Sequence, residues 1–190
     1  MRRRALLALP LLLAGCGLPT RPYVARRDWA FDIHRPTALP APAHGPVLLV
    51  RDLSAGPGMG ARGLQTRLPD GQVEVAFYDR WAVTPAEGIG DALRAWLLAS
   101  GKFSAVLGPA SLANPDLVLE GDVGSLYVEG GAAHAVLGVR LLAMHGPAPR
   151  IRLQRSIAAT APLAGQGPAA EVAAMNAALA QVFAAIEMAS

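Results

Sequence analysis

The sequence predicts an α+β fold, with a mixed or antiparallel sheet of about five to seven strands and two main helices packed on one face of the sheet. Three observations predict this class. Several short segments alternate apolar and polar residues, turn residues separate neighbouring segments, and only two stretches repeat apolar residues with the period of a helix. When two helices pack on one sheet, the apolar faces of the helices and the apolar face of the sheet bury each other.

The first 15 residues have the pattern of an export signal. Three arginines at positions 2–4 precede an apolar run from 5 to 14. The run is shorter than the roughly 20 residues that a membrane-spanning helix needs, so it predicts a signal peptide. It ends in Leu13-Ala14-Gly15-Cys16, which resembles the lipobox of bacterial lipoproteins, where the cysteine is acylated and becomes the mature N-terminus. The alternative is an ordinary secretory signal with an incidental cysteine.

Cys16 is the only cysteine, so no disulfide can form within the chain. Gly17 follows it, whereas an Asp at this position would suggest retention in the inner membrane. We therefore expect a lipid-anchored protein of the outer membrane that faces the periplasm. Residues 16–27 are predicted to be a lipidated tether, and residues 28–190 a single α+β domain.

The charge of the chain does not indicate a nucleic-acid partner. The chain has 17 basic and 14 acidic residues, but three of the basic ones are the arginines of the predicted signal. Without them 14 basic residues balance 14 acidic ones, and the mature protein has no formal net charge. A basic surface of the kind that binds DNA or RNA is therefore not expected.

Two strands are predicted in the first third of the domain. Asp28–Ile33 predicts a first strand with Trp29, Phe31 and Ile33 on one face. The apolar run Val47–Val50 predicts a buried second strand.

Gly58-x-Gly60-x-x-Gly63 formally matches the dinucleotide-binding fingerprint. That fingerprint needs a helix N-terminus under the pyrophosphate. Here a hairpin follows instead, with Leu64–Leu68 and Val73–Tyr78 on either side of a Pro-Asp-Gly turn. We interpret the glycines as a strand connection and predict no nucleotide site.

The segment from 73 to 103 is the clearest in the chain. Val73, Val75 and Phe77 alternate with the residues between them, which predicts a half-buried strand. Thr84-Pro85-Ala86-Glu87 then has the cap, the proline and the glutamate of a capping box. Gly101 marks the end of the helix. One stripe of this helix is apolar and is expected to be buried: Ile89, Leu93, Trp96 and Leu97.

The second half of the chain predicts a meander and a final helix. After a short strand at Ala105–Leu107, two long apolar segments flank Gly130-Gly131, and a third strand follows around 151–157. The helix from about 168 to 188 carries its apolar residues within one stripe: Val172, Met175, Leu179, Val182, Phe183 and Ile186. A helix lying on a membrane is the alternative, but its polar face has neither Lys nor Arg. We expect it to cover the sheet.

No pattern of catalytic or ligand-binding residues emerges. Neither a nucleophile elbow nor a Walker motif occurs in the sequence. The four histidines do not have the spacing of metal ligands: His34, His44, His134 and His145. We predict no catalytic residue, no cofactor and no metal, and therefore a protein that is not an enzyme.

Tyr78, Arg80 and Trp81 form the most distinctive polar and aromatic group, at the corner before the first helix. They are a candidate for contact with a partner or with lipid headgroups. The structural alternative is that Trp81 packs beneath the corner and Arg80 pairs with Asp79 or Glu87.

Together these motifs resemble those of the ABC-type transport auxiliary lipoprotein family, the Pqi-type lipoprotein that accompanies MCE-domain lipid-transport systems. The resemblance covers most of residues 16–188. Trp29-Ala30-Phe31-Asp32-Ile33 departs from the Tyr-x-Leu pattern expected there. Besides the lipobox and the Ala-rich final helix, the motifs are Leu68-Pro69-Asp70-Gly71, Ala76-Phe77-Tyr78-Asp79-Arg80-Trp81-Ala82-x-x-Pro85, Leu97-x-x-Ser100-Gly101-x-Phe103 and Leu117-Val118-Leu119-Glu120-Gly121.

The resemblance implies a non-enzymatic periplasmic lipoprotein that helps an MCE tunnel protein and an inner-membrane ABC permease and ATPase to move phospholipid or other hydrophobic molecules. Cys16 would carry the anchor, and assembly as a homo-oligomer is left open. The second hypothesis is an outer-membrane assembly lipoprotein that partners a β-barrel, like lipopolysaccharide-assembly lipoproteins. A periplasmic enzyme is the third, and it would require a pocket with paired carboxylates of shifted pKa.

Overall fold

The computed structural model describes residues 23–190, so the predicted signal, the lipobox and Cys16 lie outside the described residues. The described chain forms one mixed sheet of nine strands and two helices, which confirms the α+β class. The strands are β1 Arg27–Trp29, β2 Val47–Val50, β3 Ser54–Ala55, β4 Gly63–Arg67, β5 Val73–Trp81, β6 Ala105–Leu107, β7 Leu117–Glu129, β8 Ala132–Ala143 and β9 Arg150–Pro162. The helices are α1 Pro85–Leu98 and α2 Pro168–Ala189.

The number of strands is larger than the five to seven predicted, because short segments complete the sheet. β3 has only two residues and pairs in parallel with β7. A strand this short cannot be predicted from alternating apolar and polar residues. The first strand was predicted over Asp28–Ile33, but β1 ends at Trp29 because only Asp79–Trp81 of β5 pairs with it. Phe31 and Ile33 reach the core from the irregular segment that follows.

β7 is the centre of the sheet. β8 pairs with it in antiparallel fashion along its whole length, and β9 pairs in the same way with β8. On the other side β2, β3 and β4 each pair in parallel with a different part of β7. β5 and then β1 extend the sheet beyond β4, so that β5 and β9 lie at opposite edges.

The two helices contact each other and bury the same face of the sheet. The rings of Trp96 in α1 and Phe183 in α2 meet edge to face with centroids 5.8 Å apart. Every residue of the two predicted apolar stripes is buried. Helix α2 is long and apolar enough to cross a membrane by length and composition, but half of its most apolar window is buried inside the protein, as in a core helix.

The ends of α1 lie where the sequence predicts them. Thr84 is the N-cap residue and Pro85 begins the helix, although the Thr84 side chain makes no capping hydrogen bond. Gly101 adopts a φ of +69°, the left-handed conformation that favours glycine after a helix.

Glu187 joins the end of α2 to two distant parts of the chain. Its carboxylate accepts hydrogen bonds from the Arg35 guanidinium at 3.0 and 3.1 Å and from Trp96 Nε1 at 2.7 Å. The hydrogen bond from Arg35, with a smaller contribution from Trp96, holds the pKa of Glu187 below its ordinary value despite the opposing effect of burial. The ionised carboxylate therefore stabilises the folded state.

We expect Glu187→Gln to destabilise the protein at neutral pH and to matter little in acid. Because the pKa of Glu187 is lower in the folded than in the unfolded protein, its contribution is complete above the ordinary glutamate range, about pH 4–5, and disappears as the pH falls through the lowered value. Urea unfolding at pH 7 and pH 3 measures the effect. Glu74→Gln, at an exposed position of β5, is the control. An equal loss at both pH values would contradict this role of the charge.

Candidate functional site

The outer part of β5 is the most distinctive surface of the described chain. β4 pairs with β5 at Gln65 and Val75 and again at Gly63 and Arg80, so β5 advances five residues where β4 advances two. This irregularity is a bulge in β5 between Val75 and Arg80. No strand among residues 23–190 pairs with Val73–Tyr78 on the side away from β4, because β1 begins its pairing only at Asp79.

Four apolar or aromatic side chains of this strand face solvent, and we call them the β5 edge. Val73, Val75, Phe77 and Tyr78 are 50%, 50%, 62% and 42% exposed. The alternation of Val73, Val75 and Phe77 predicted a half-buried strand, and for this segment that prediction is wrong. The side chains of Val73, Val75 and Phe77 stay at least half exposed, although Val75 also borders a cleft that Glu171 of α2 lines.

The start of the described chain runs beside this edge. The Arg26 guanidinium lies 4.4 Å from the centre of the Phe77 ring, within the range of a cation–π contact. Phe77 in turn meets Tyr78 edge to face, with ring centroids 5.0 Å apart. Since β1 follows directly and pairs with Asp79–Trp81, the segment from Tyr23 to Arg26 enters the protein at the β5 edge.

The predicted corner divides into a buried and an exposed part. Trp81 is only 2% exposed, and it stacks on Phe31 with ring centroids 3.9 Å apart and planes 14° from parallel. Gly88 of α1 makes room for this stack, because a Cβ atom there would lie 2.1 Å from the Phe31 ring. Trp81 therefore anchors the corner from within, as the structural alternative predicted, and only Tyr78 and Arg80 reach the surface.

Ion pairs hold the corner together, but with partners other than those predicted. The expectation that Arg80 pairs with Asp79 or Glu87 is wrong, because its Nε donates to Asp28 Oδ1 at 2.7 Å. That hydrogen bond from Arg80 lowers the pKa of Asp28, and the charge of Arg62 adds to the effect. Arg62 also donates to Asp28 at 3.1 Å. The prediction missed Asp28 because it is separated from Arg80 by 52 positions.

Asp79 is buried, and both oxygens of its carboxylate accept hydrogen bonds. Arg27 donates to its carboxylate at 2.8 Å and Trp29 Nε1 donates at 3.1 Å. These contacts lock β1 onto β5 and satisfy a carboxylate that would otherwise be costly to bury. They also fix the direction in which the chain enters beside the β5 edge.

Glu171, a carboxyl group near the β4–β5 hairpin, has a shifted pKa. Burial raises the pKa of Glu171 at the start of α2, and the negative charge of Asp79 adds to the effect. Glu171 borders a cleft of about 340 Å³ between α2 and the β4–β5 hairpin. A pair of catalytic carboxylates needs two groups that are free to exchange protons with a substrate. Asp79 is not free, because Arg27 and Trp29 hold it.

Within the described residues no group of three or more His, Cys, Asp or Glu side chains is placed to hold a metal ion. His134, one of the four scattered histidines, lies in β8 and stacks on Tyr127 with ring centroids 5.1 Å apart. The glycines of the formal dinucleotide motif lie between β3 and β4, and no helix follows them.

Sequence reasoning singled out Tyr78 but missed that Val73, Val75 and Phe77 are exposed beside it. The signal was present in Phe77-Tyr78, since two neighbouring side chains of a strand point to opposite faces and only one of them can join the core. The bulge changes this rule locally, so both rings emerge on the surface.

The fold is a small α+β domain with an exposed apolar strand edge. The family model of the ABC-type transport auxiliary lipoprotein component matches residues 32–187, and the chain belongs to this family. It is therefore an auxiliary lipoprotein component of ABC-type transport, attached to a membrane of the cell envelope. No protein of curated function matches the sequence.

Solved structures share the fold. XCC0632 from Xanthomonas campestris is 24% identical with a TM-score of 0.68, over 86% of this chain and 90% of that one. A second, uncharacterized protein is 16% identical with a TM-score of 0.69, over 87% and 98% of the two chains. The hypothetical protein CT253 from Chlamydia trachomatis is 11% identical with a TM-score of 0.53, over 76% and 96%. At these identities the likeness concerns the fold alone.

Proposed function

We propose that the protein is a non-enzymatic, lipid-anchored subunit that faces the periplasm and assists an ABC transporter of phospholipids or other hydrophobic molecules. Its partners would be an MCE-domain tunnel protein and an inner-membrane permease with its ATPase. The observation that carries the proposal is the family match over residues 32–187, which covers almost the whole described fold. The exposed apolar β5 edge supports a role in contact, because such surfaces commonly mark interaction sites.

The anchor in this proposal is an acylated Cys16, at the end of the predicted lipobox. Acyl chains contribute about 0.8 kcal/mol per buried methylene group, and more than one chain makes attachment to a membrane stable. Gly17, in place of an aspartate, favours the outer membrane as the destination. A tether from 16 to 27 then joins the lipid to the domain.

A pull-down in mild detergent, from the membranes of the organism that makes the protein, tests the partners. The full-length lipidated protein is captured, and the co-purifying proteins are identified by mass spectrometry. We expect an MCE-domain protein together with a permease and an ATPase. Recovery of a β-barrel instead would replace this proposal with that of an outer-membrane assembly lipoprotein.

Cys16→Ser tests the anchor separately. The variant lacks the only thiol that can be acylated, so we expect it to leave the membrane fraction, whereas the parent protein stays there through washes in high salt. Quantitative immunoblotting of the two fractions measures the change. A Cys16→Ser protein that still sediments with membranes would contradict lipid anchoring at this residue.

A further inference from the structure

The β5 edge has no partner within the described chain, although it combines two features that folded proteins usually cover. It is an unpaired strand edge, and its side chains are apolar or aromatic. Strand edges of this kind promote aggregation unless a charge, a bulge or another surface protects them. The bulge limits pairing with a further strand at Phe77 and Tyr78, but it leaves their rings exposed. The β5 edge is therefore better suited to contact another surface through its side chains than to pair with a further strand.

The route of the chain places this edge beside the lipid anchor. Tyr23 is the first described residue and is 91% exposed, and the segment that follows it passes Phe77 through Arg26. Cys16 and Tyr23 are seven positions apart in the sequence, a distance that spans at most about 25 Å when the chain is fully extended. An acylated Cys16 would thus keep the start of the described chain, and the β5 edge beside it, close to the membrane.

The chemistry of the edge matches a lipid headgroup layer. Tyrosine favours the membrane interface, because its ring is apolar and its hydroxyl group is hydrated, and phenylalanine adds an apolar ring that can be buried at the same level. The Arg26 guanidinium lies over the Phe77 ring and would meet the phosphates of anionic lipids. The acidic residues Glu74 and Glu171 line one cleft with Val75, and burial raises the pKa of Glu171, which favours its uncharged form.

We propose that the β5 edge, Val73, Val75, Phe77 and Tyr78, rests in the headgroup layer of the membrane that holds the anchor. This placement rests on the proposed function, since it takes Cys16 to be acylated. It gives the domain one orientation on the membrane. β9, at the opposite edge of the sheet, then points away from the lipid and toward the periplasmic partner.

The test uses the fact that the chain has one cysteine. In the lipidated protein that thiol is acylated, so a cysteine introduced as Val75→Cys or Phe77→Cys is the only one that a maleimide or iodoacetamide dye can label. The environment-sensitive dye NBD is attached, and the protein is reconstituted into vesicles of phosphatidylethanolamine and phosphatidylglycerol. Matched controls are Leu112→Cys in the loop after β6 and Ile151→Cys in β9, both well exposed.

We expect NBD at 75 and 77 to emit at shorter wavelength, with at least twofold greater intensity, and to be quenched by spin-labelled lipid. Dye at 112 and 151 should stay accessible to aqueous iodide. All four substituted side chains are exposed, so thermal melts of the labelled proteins should match that of the parent.

Other results would overturn the placement. Dye at 75 that iodide quenches as strongly as dye at 112 would mean that the edge faces water. A blue shift that lipid quenchers do not affect would mean that a second copy or the tether covers it, and the dependence on protein concentration tells these two apart. Failure to float with vesicles would instead contradict acylation at Cys16, and the placement with it.

Discussion

Replacing Trp81 with alanine lowers the free energy of unfolding by about 3–5 kcal/mol, the range for truncating a large buried aromatic side chain. Trp81 is 2% exposed, and its ring stacks on Phe31, which itself fills the space above Gly88. The truncation would leave a cavity between β5 and α1 and remove the stack. Chemical denaturation at neutral pH measures the loss, with the slope of the transition checked for two-state behaviour.

Two variants sharpen this test of the corner. Trp81→Phe keeps a ring against Phe31 and is expected to lose clearly less stability than Trp81→Ala. Leu98→Ala removes an exposed side chain from α1 and should change the stability by no more than about 0.5 kcal/mol. If Trp81→Ala kept the stability of the parent but lost its partner in a pull-down, Trp81 would be a binding residue rather than an anchor of the fold.

Gly121→Ala is expected to destabilise the protein by about 2–3 kcal/mol, in the upper part of the range for an overpacked site. Gly121 pairs with Val139 at the centre of the β7–β8 hairpin. A Cβ atom at this position would lie 2.1 Å from the carbonyl oxygen of Gly138. Because the obstacle is backbone, the two strands would have to separate, and they form the middle of the sheet.

Gly60→Ala is the matched control. No heavy atom lies within 4 Å of a Cβ built on Gly60, and its φ is not positive, so the change should stay within about 0.5 kcal/mol. Thermal unfolding of the two variants beside the parent gives the comparison. A Gly121→Ala protein as stable as Gly60→Ala would contradict a steric requirement for glycine at position 121. The motif Leu117-Val118-Leu119-Glu120-Gly121 therefore has a packing explanation that needs no ligand.

Trp81 and Phe77 illustrate how far the candidate site could be predicted. Both belong to one motif, and both occupy positions of the same parity in β5, although only Phe77 lies within the predicted strand. Their exposures differ, 2% for Trp81 and 62% for Phe77, because the bulge in β5 interrupts the alternation between them. Hydrophobicity alone could not separate the anchor of the fold from the exposed ring.

The sequence by itself determined the elements with strong local signals. Helix α1 has its cap and its proline in consecutive positions at its start and a glycine shortly after its end. Helix α2 repeats its apolar residues over about four turns. The β7–β8 hairpin follows from two long apolar segments on either side of Gly130 and Gly131. Both glycines have a positive φ. These features depend on residues within one turn or one hairpin of each other, which is why their periodicity is sufficient.

Only the tertiary structure decided which residues and strands far apart in the sequence contact each other. Asp28 with Arg80, Glu187 with Arg35, and β3 with β7 join residues that no local period relates. The same is true of the β5 edge, since a strand becomes an edge only when no other part of the chain pairs with it. Local spacing specifies helices and hairpins, whereas edges, ion pairs and exposed faces depend on how those elements are assembled in space.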